Sequence, residues 1–324
     1  MDNLLDLVIS RMPGLKAAER IELEKKFDTE DDILRLSMKD VEKLIGRPLK
    51  VPLWAMEDIR KMAENDAARA SKFGIHLVSW RESSYPPLLR EIYDPPVLLF
   101  YRGDLPNPLK PLVAVVGTRK PSAGAAKEAF TLGRELGEAG IPVVSGLALG
   151  IDSMAHKGNI EGNAPTVAVL GSGPDMIFPA SNRGLARRIL EKGGAILSEY
   201  PPGTVPFKSH FPERNRIISA LSRGVVVVEA PEKSGALITA RFAIEQNRDL
   251  WVVKAGINSA KSLGTTRLAE DGAPVISHAA QILSEWKIPG PISACSGTFK
   301  QSGNGIKEEA DLASSMACYL DIKL

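Results

Sequence analysis

Cysteine and histidine are scarce: the 324 residues contain two of the first and four of the second. Cys295 and Cys318 both fall in a weakly patterned tail and form no metal-ligand cluster with the scattered histidines. A disulfide framework and a zinc module are therefore excluded as organising principles, and a cytoplasmic compartment is expected. No apolar run approaches the roughly 18–20 residues of a membrane span, and Met1–Asp2–Asn3 lacks the basic start of a secretory leader, so no membrane partner is expected. Charge of one sign is also lacking. A net charge of +2 excludes a histone-like polycation but leaves room for a local basic patch. The phosphate loop G-x-x-x-x-G-K-[ST] and the nucleophile elbow G-x-S-x-G are missing, which argues against an ATPase and a serine hydrolase. There is no fixed-period repeat.

What is present changes character along the chain. Residues 1–70 read as a small all-helical domain: Leu4, Leu5, Val8 and Ile9 recur at helical spacing, Leu15, Ala18 and Ile21 continue with Leu23 off the stripe, and Ser37 with Asp40 resembles a capping box. Such units bind nucleic-acid backbone or pack against protein. Residues 71–110 form a junction with short strands near Ile75–Val78 and Leu98–Tyr101, set among proline turns. From 111 to 280 short, wholly apolar runs such as Val113–Val116 and Val225–Val228 alternate with helical segments. Strands buried on both faces read this way, so the expectation is an α/β core with a doubly wound, mostly parallel sheet. Residues 281–324 form a polar tail, too short for a complete winged helix, with a last helix expected near Leu312–Leu320.

In such sheets ligands bind beyond the carboxyl ends of the strands, and the unusual clusters of this chain fall there. Gly117–Thr118–Arg119–Lys120–Pro121–Ser122 offers a tight turn, hydroxyls and a rigid guanidinium fork at a helix start, suited to phosphate; a solvated basic turn is the alternative. In SGLALGIDSMAH, Gly146 and Gly150 permit close backbone approach, while Asp152 and His156 suit a helix cap and a hydrogen bond better than a metal or a hydrolase. GSGPDMIFPASN mimics a dinucleotide fingerprint, but Met176 stands where its third glycine belongs, so no cofactor is expected. Asp175 and Asn182 are expected as turn and cap residues, and Phe178–Pro179 as an exposed stacking surface. Phe207, Lys208, His210, Phe211, Arg214, Asn215 and Arg216 interleave rings with cations, the pattern that a single-stranded nucleic acid requires. Arg214 and Arg216, two apart, cannot share a helical face. One is expected to enter a pocket while the other pairs with a carboxylate such as Glu229; an internal salt-bridge network is the alternative for both. Lys233–Ser234–Gly235 opens another anion-ready helix start. Several such turns along one rim point to a polyanion rather than to a small cofactor.

Taken together, VAVVGTRKPS, SGLALGIDSMAHKG, AVLGSGPDMIFPASN, SEYPPGTVPFKSHFPERNRIISALS and VVVEAPEKSGALITARFAIEQNR resemble the DNA-processing protein A family, also called Smf. The resemblance implies an extended Rossmann-like core that binds single-stranded DNA, forms a homodimer and loads the RecA recombinase onto single strands in DNA uptake, natural transformation and recombination. It also implies work alongside single-strand binding protein, and no catalysis. It places Arg119, Lys208, Arg214 and Arg216 in a basic DNA-binding pocket; Phe207 and Phe211 are stacking candidates from composition. The chain departs from the family pattern at Gly124–Ala125, Leu149 and Val253–Lys254–Ala255. Two rival readings are a phosphoribohydrolase-like nucleotide enzyme, whose P-G-G-x-G-T-x-x-E element is missing, and a DNA or nucleotide sensor in defence.

Overall fold

The computed structural model describes residues 4–257 and 261–288. It begins with helices α1 (Leu4–Arg11), α2 (Ala17–Lys26), α3 (Glu30–Leu34), α4 (Met38–Ile45) and α5 (Met56–Lys72). Ser37 and Asp40 do form a capping box at α4, because the aspartate side chain is long enough to reach the Ser37 amide at 2.9 Å. Leu23, off the sequence stripe, is nonetheless buried.

There follow β1 (His76–Ser79), α6 (Pro87–Arg90), β2 (Leu98–Gly103), β3 (Val113–Val116), α7 (Ala123–Glu138), β4 (Val143–Ser145), α8 (Ile151–Glu161), β5 (Val167–Val169) and α9 (Arg183–Glu191). The described chain closes with β6 (Ala195–Ser198), α10 (His210–Leu221), β7 (Gly224–Val227), α11 (Gly235–Glu245), β8 (Asp249–Val253), α12 (Leu263–Glu270), β9 (Val275–Ile276) and α13 (Ala279–Glu285). The expected tail beyond 288, with its helix and both cysteines, lies outside the described residues.

The nine strands form one mixed sheet in the order β1-β2-β6-β5-β4-β3-β7-β8-β9. The segment 71–110 supplies β1 and β2, which join the edge at β6 antiparallel, while the other neighbours pair parallel. Val97, Leu98 and Phe100 share an apolar cluster with α1–α5, so the helical segment packs directly on this strand region.

Side chains alternate across each strand, and each face of the sheet has its own core. Val113, Val115, Val226 and Val228 pack with α7, α8 and α13, whereas Ala114, Val116, Val225 and Val227 pack with α10 and α11. Helices α7 and α8 approach closely because Gly133 and Gly158 have no side chains; a Cβ on either would sit 2.4 or 2.0 Å from the opposite backbone. From β3 successive strands step one way to β4, β5 and β6, and then β7 returns to the other side of β3. The loops after β3 and β7 therefore part to opposite faces and leave a crevice at the carboxyl ends.

Candidate nucleic-acid interface

A cleft of about 650 Å³ occupies that crevice. Gly117 to Lys120 line one wall, α10 residues Phe211, Arg214 and Asn215 another, and Lys233 to Ala236 at the start of α11 a third, with Lys208 and Phe178 at further points. Five cations line it (Arg119, Lys120, Lys208, Arg214 and Lys233) against one carboxylate, Asp152. Arg119, Lys120, Lys208 and Lys233 are exposed and form no ion pair among the described residues.

The walls are fixed by local chemistry. The Glu229 backbone oxygen accepts the Thr118 amide at 2.7 Å and its carboxylate accepts the Ser122 amide at 2.7 Å, so β7 holds the turn after β3 in place. The Ser122 hydroxyl accepts from Ala125 at 3.2 Å and caps α7, and Ser234 caps α11. The Thr118 hydroxyl accepts the Lys120 amide at 3.2 Å. Asn215 donates to the Gly235 oxygen at 3.1 Å and ties α10 to α11.

Helix α10 starts at His210, and Arg214 lies inside it. Arg214 is buried and points inward, donating to the Gly146 oxygen at 3.0 Å and to the Val169 oxygen. Burial pulls its guanidinium down to about 10, with nearby Asp152 opposing, so it stays charged at neutral pH. Asp152 accepts from the Gly146 and Ala148 amides at 3.2 and 3.3 Å; burial raises its pKa against the pull of Arg214. The room at Gly146 is thus taken by this chain's own guanidinium rather than by a ligand: a Cβ there would lie 2.6 Å from Arg214. At Gly150 it is the Thr118 backbone that makes the close approach. His156 is fully buried and contacts Thr166 at 2.8 Å through Nδ1; burial and Arg214 push it down to about 3, so it is neutral.

Three expectations need correction. Arg216 pairs not with Glu229 but with Glu199 at 2.6 Å and Asp94 at 3.3 Å, on the side of α10 away from the cleft, because two helical residues turn the side chain through more than half a circle. Asn182 does stand at the N-cap position of α9, but its side chain makes no cap bond; its amide crosses to the Leu147 oxygen at 2.8 Å and the Ser153 hydroxyl at 3.0 Å. Phe207 is exposed and packs edge-on against His210, outside the cleft lining. The aromatic at the mouth is instead Phe178, half-exposed and 5.8 Å from Phe211, over which the Arg119 guanidinium lies at 5.6 Å. The Phe-Pro pair had marked the position, but its sequence distance from the other motifs concealed its place beside them. Asp175 joins two loops, accepting from Gly203 at 2.8 Å and pairing with Arg69 at 2.8 Å. Among the described residues no cluster of metal-ligating side chains occurs, and no helix is long and apolar enough to cross a membrane.

Comparison with known proteins places this geometry. A family model described as DNA recombination-mediator protein A matches residues 76–287. Protein Smf of Synechocystis is 44% identical over 207 residues, which make up 63% of this chain and 52% of that protein, so the match spans about half of the relative's length. Protein Smf of Borreliella burgdorferi is 35% identical over 255 residues, 76% of this chain and 77% of its own. The X-ray structure of DNA processing protein A from Streptococcus pneumoniae superposes with a TM-score of 0.71 at 34% identity, covering 87% of this chain and 97% of that one. DNA processing protein A from Helicobacter pylori, whose structure is described in terms of its single-stranded DNA binding mode, gives 0.58 at 32% identity over 66% of this chain and 95% of that one.

Proposed function

Because this chain belongs to the DNA recombination-mediator protein A family, we propose that it binds single-stranded DNA in the cleft between β3 and β7 and loads a RecA recombinase onto that strand, without catalytic turnover. The observation that carries the reading is the charge of the cleft: five cations face one carboxylate, and four of the five have no ion pair among the described residues. Phosphates meet Arg119, Lys120, Lys208 and Lys233 together with the first amides of α11. A base stacks on Phe178, which is held by Phe211. Arg214 acts from behind, as a buried cation that raises the local potential without leaving its carbonyl partners. The contacts carry no base-edge readout, so binding is insensitive to sequence and falls with salt.

On this reading the core from 111 to 280 is a Rossmann-like, doubly wound unit, with residues 1–70 as a helical domain joined through 71–110. One cleft spans few nucleotides. A homodimer raises affinity by making the second contact intramolecular. RecA and single-strand binding protein are the protein partners, and the site of action is the cytoplasm. The test is fluorescence anisotropy with labelled oligo-dT and a matched duplex over a salt series. The single strand is expected to bind more tightly. Arg119→Ala should weaken it about tenfold, the loss of one charge-assisted contact of ~1.5 kcal/mol, and lower the salt slope by about 0.7. A folded wild type that ignores oligo-dT would sink the reading and direct attention to hydrolysis of nucleoside monophosphates.

A further inference from the structure

Two loops meet at the mouth of the cleft. One, 171–178, ends in Phe178; the other, 201–208, ends in Lys208, and both of these side chains line the cleft. The loops are joined by backbone, with the Gly173 amide donating to the Thr204 oxygen at 2.9 Å, and by the Asp175 carboxylate. One Asp175 oxygen accepts the Gly203 amide at 2.8 Å, and the other accepts Arg69 through Nε at 2.9 Å and its terminal nitrogen at 2.8 Å. The Asp175 side chain is only 5% exposed, and a carboxylate that far out of water needs a cation. Among the described residues Arg69 is its ion-pair partner. The fit is close, since Gly203 has a φ of +88° and a Cβ there would lie 2.8 Å from the Arg69 guanidinium carbon. The flat cation therefore lies over the glycine and against the carboxylate at once.

Arg69 does not line the cleft. It belongs to α5, whose Ile59, Ala63 and Ala70 are buried in the apolar cluster of the N-terminal helices. We propose that Arg69 is a positioning residue: from the helical segment it straps the Phe178 loop to the Lys208 loop, so that ring and ammonium address the same strand. The helical segment then acts on nucleic acid through a mechanical tie rather than by touching it. This rests on the single-strand reading for its consequence, but not for the strap itself.

The two parts are tested separately on the full chain. Hydrogen exchange of the free protein reads the strap. Arg69→Ala is expected to speed exchange in 172–176 and 203–204 while α7 stays protected, and unchanged exchange there would overturn the proposal. Asp175→Asn, which keeps an oxygen for Gly203 but loses the charge, is the second variant and should loosen the same amides by a smaller factor. Anisotropy with oligo-dT reads the consequence. Arg69→Ala should bind about threefold more weakly with the salt slope of wild type, and Arg69→Lys should recover part of the loss. The double variant Arg69→Ala with Phe178→Ala should lose less than the sum of the two single losses, because part of the strap's effect runs through the ring. A slope lowered by about 0.7 would instead make Arg69 a phosphate ligand, and additive losses would uncouple it from Phe178; either result overturns the assignment. If wild type fails to bind oligo-dT, the single-strand reading fails, and the exchange measurement still decides the strap.

Discussion

Helix α10 separates two clefts of similar size, about 650 and 540 Å³, and sends one arginine toward each. Arg214 goes to the cleft at the carboxyl ends of β3 and β7, and Arg216 to the one beneath α2, which Lys16, Arg20, Asp94 and Glu199 also line. In the second cleft Arg216 meets two carboxylates, and their attraction outweighs burial and raises its pKa. In the first, Arg214 faces one carboxylate and four further cations line the walls, and burial lowers its pKa. Residue type is shared; Arg214 is the more deeply buried, and the count of nearby acids differs as well, one against two. Where carboxylates pair with the arginine, its charge is spent on holding the chain together. Where they do not, the unmatched charge is available to an external anion. A basic motif in a sequence thus gives no function until its carboxylates are located.

The largest expected effect comes from removing the inward arginine. Arg214→Ala leaves Asp152 buried without its cation and the Gly146 and Val169 oxygens without a donor, which should lower stability by ~3–5 kcal/mol in chemical denaturation. Arg216→Gln, at a side chain still 14% exposed, should cost less and leave oligo-dT affinity within about twofold, since it faces away from the first cleft. A large loss of DNA affinity in Arg216→Gln would erase the distinction between the two clefts.

A second contrast sets two exposed rings against each other. Phe178→Ala should weaken oligo-dT binding by ~1–3 kcal/mol, the cost of one lost base stack, whereas Phe207→Ala should fall well short of that loss. Equal losses in an anisotropy titration would move the stacking surface out of the cleft.

A further effect concerns a third region, where acids outnumber cations. Asp6 on α1 and Glu24 on α2 are buried together beside Arg81. Burial and the Asp6 charge push the Glu24 carboxyl up to about 7, and burial also raises Asp6. The folded chain therefore holds a proton that the unfolded chain has lost, and stability should decline as pH rises from about 4.5 through about 7. Urea midpoints measured between about pH 5 and about pH 8 should show that slope, and Glu24→Gln should flatten it.

Much of this could be read in advance. Apolar runs of β-branched residues mark strands wherever both faces are buried: Val113–Val116 stands where the pattern places it, and Val225–Val228 overlaps β7 to within a residue at each end. The phosphate-ready turns follow strand ends, and Ser37 caps the next helix as expected, because a cap is a bond within three residues, while Ser122 and Ser234, expected as anion ligands, turn their hydroxyls to the caps of α7 and α11. The incompatibility of Arg214 and Arg216 on one face is likewise local, being fixed by the pitch of a helix.

The partners were not legible. Glu229 stood nearer in sequence to Arg216, yet Glu199 and Asp94 hold it, and Glu229 fastens the turn after β3 instead. Phe207, beside the basic residues in sequence, lies outside the cleft, while Phe178, over thirty residues before Arg214, lies in it. Arg69 reaches Asp175 across 106 positions. The sequence by itself determined the elements and the end of the sheet at which charge collects, because periodicity and capping act over a few residues. Only the tertiary structure decided which charges cancel and which ring meets the cleft, because those contacts depend on how elements distant in the chain are set against one another.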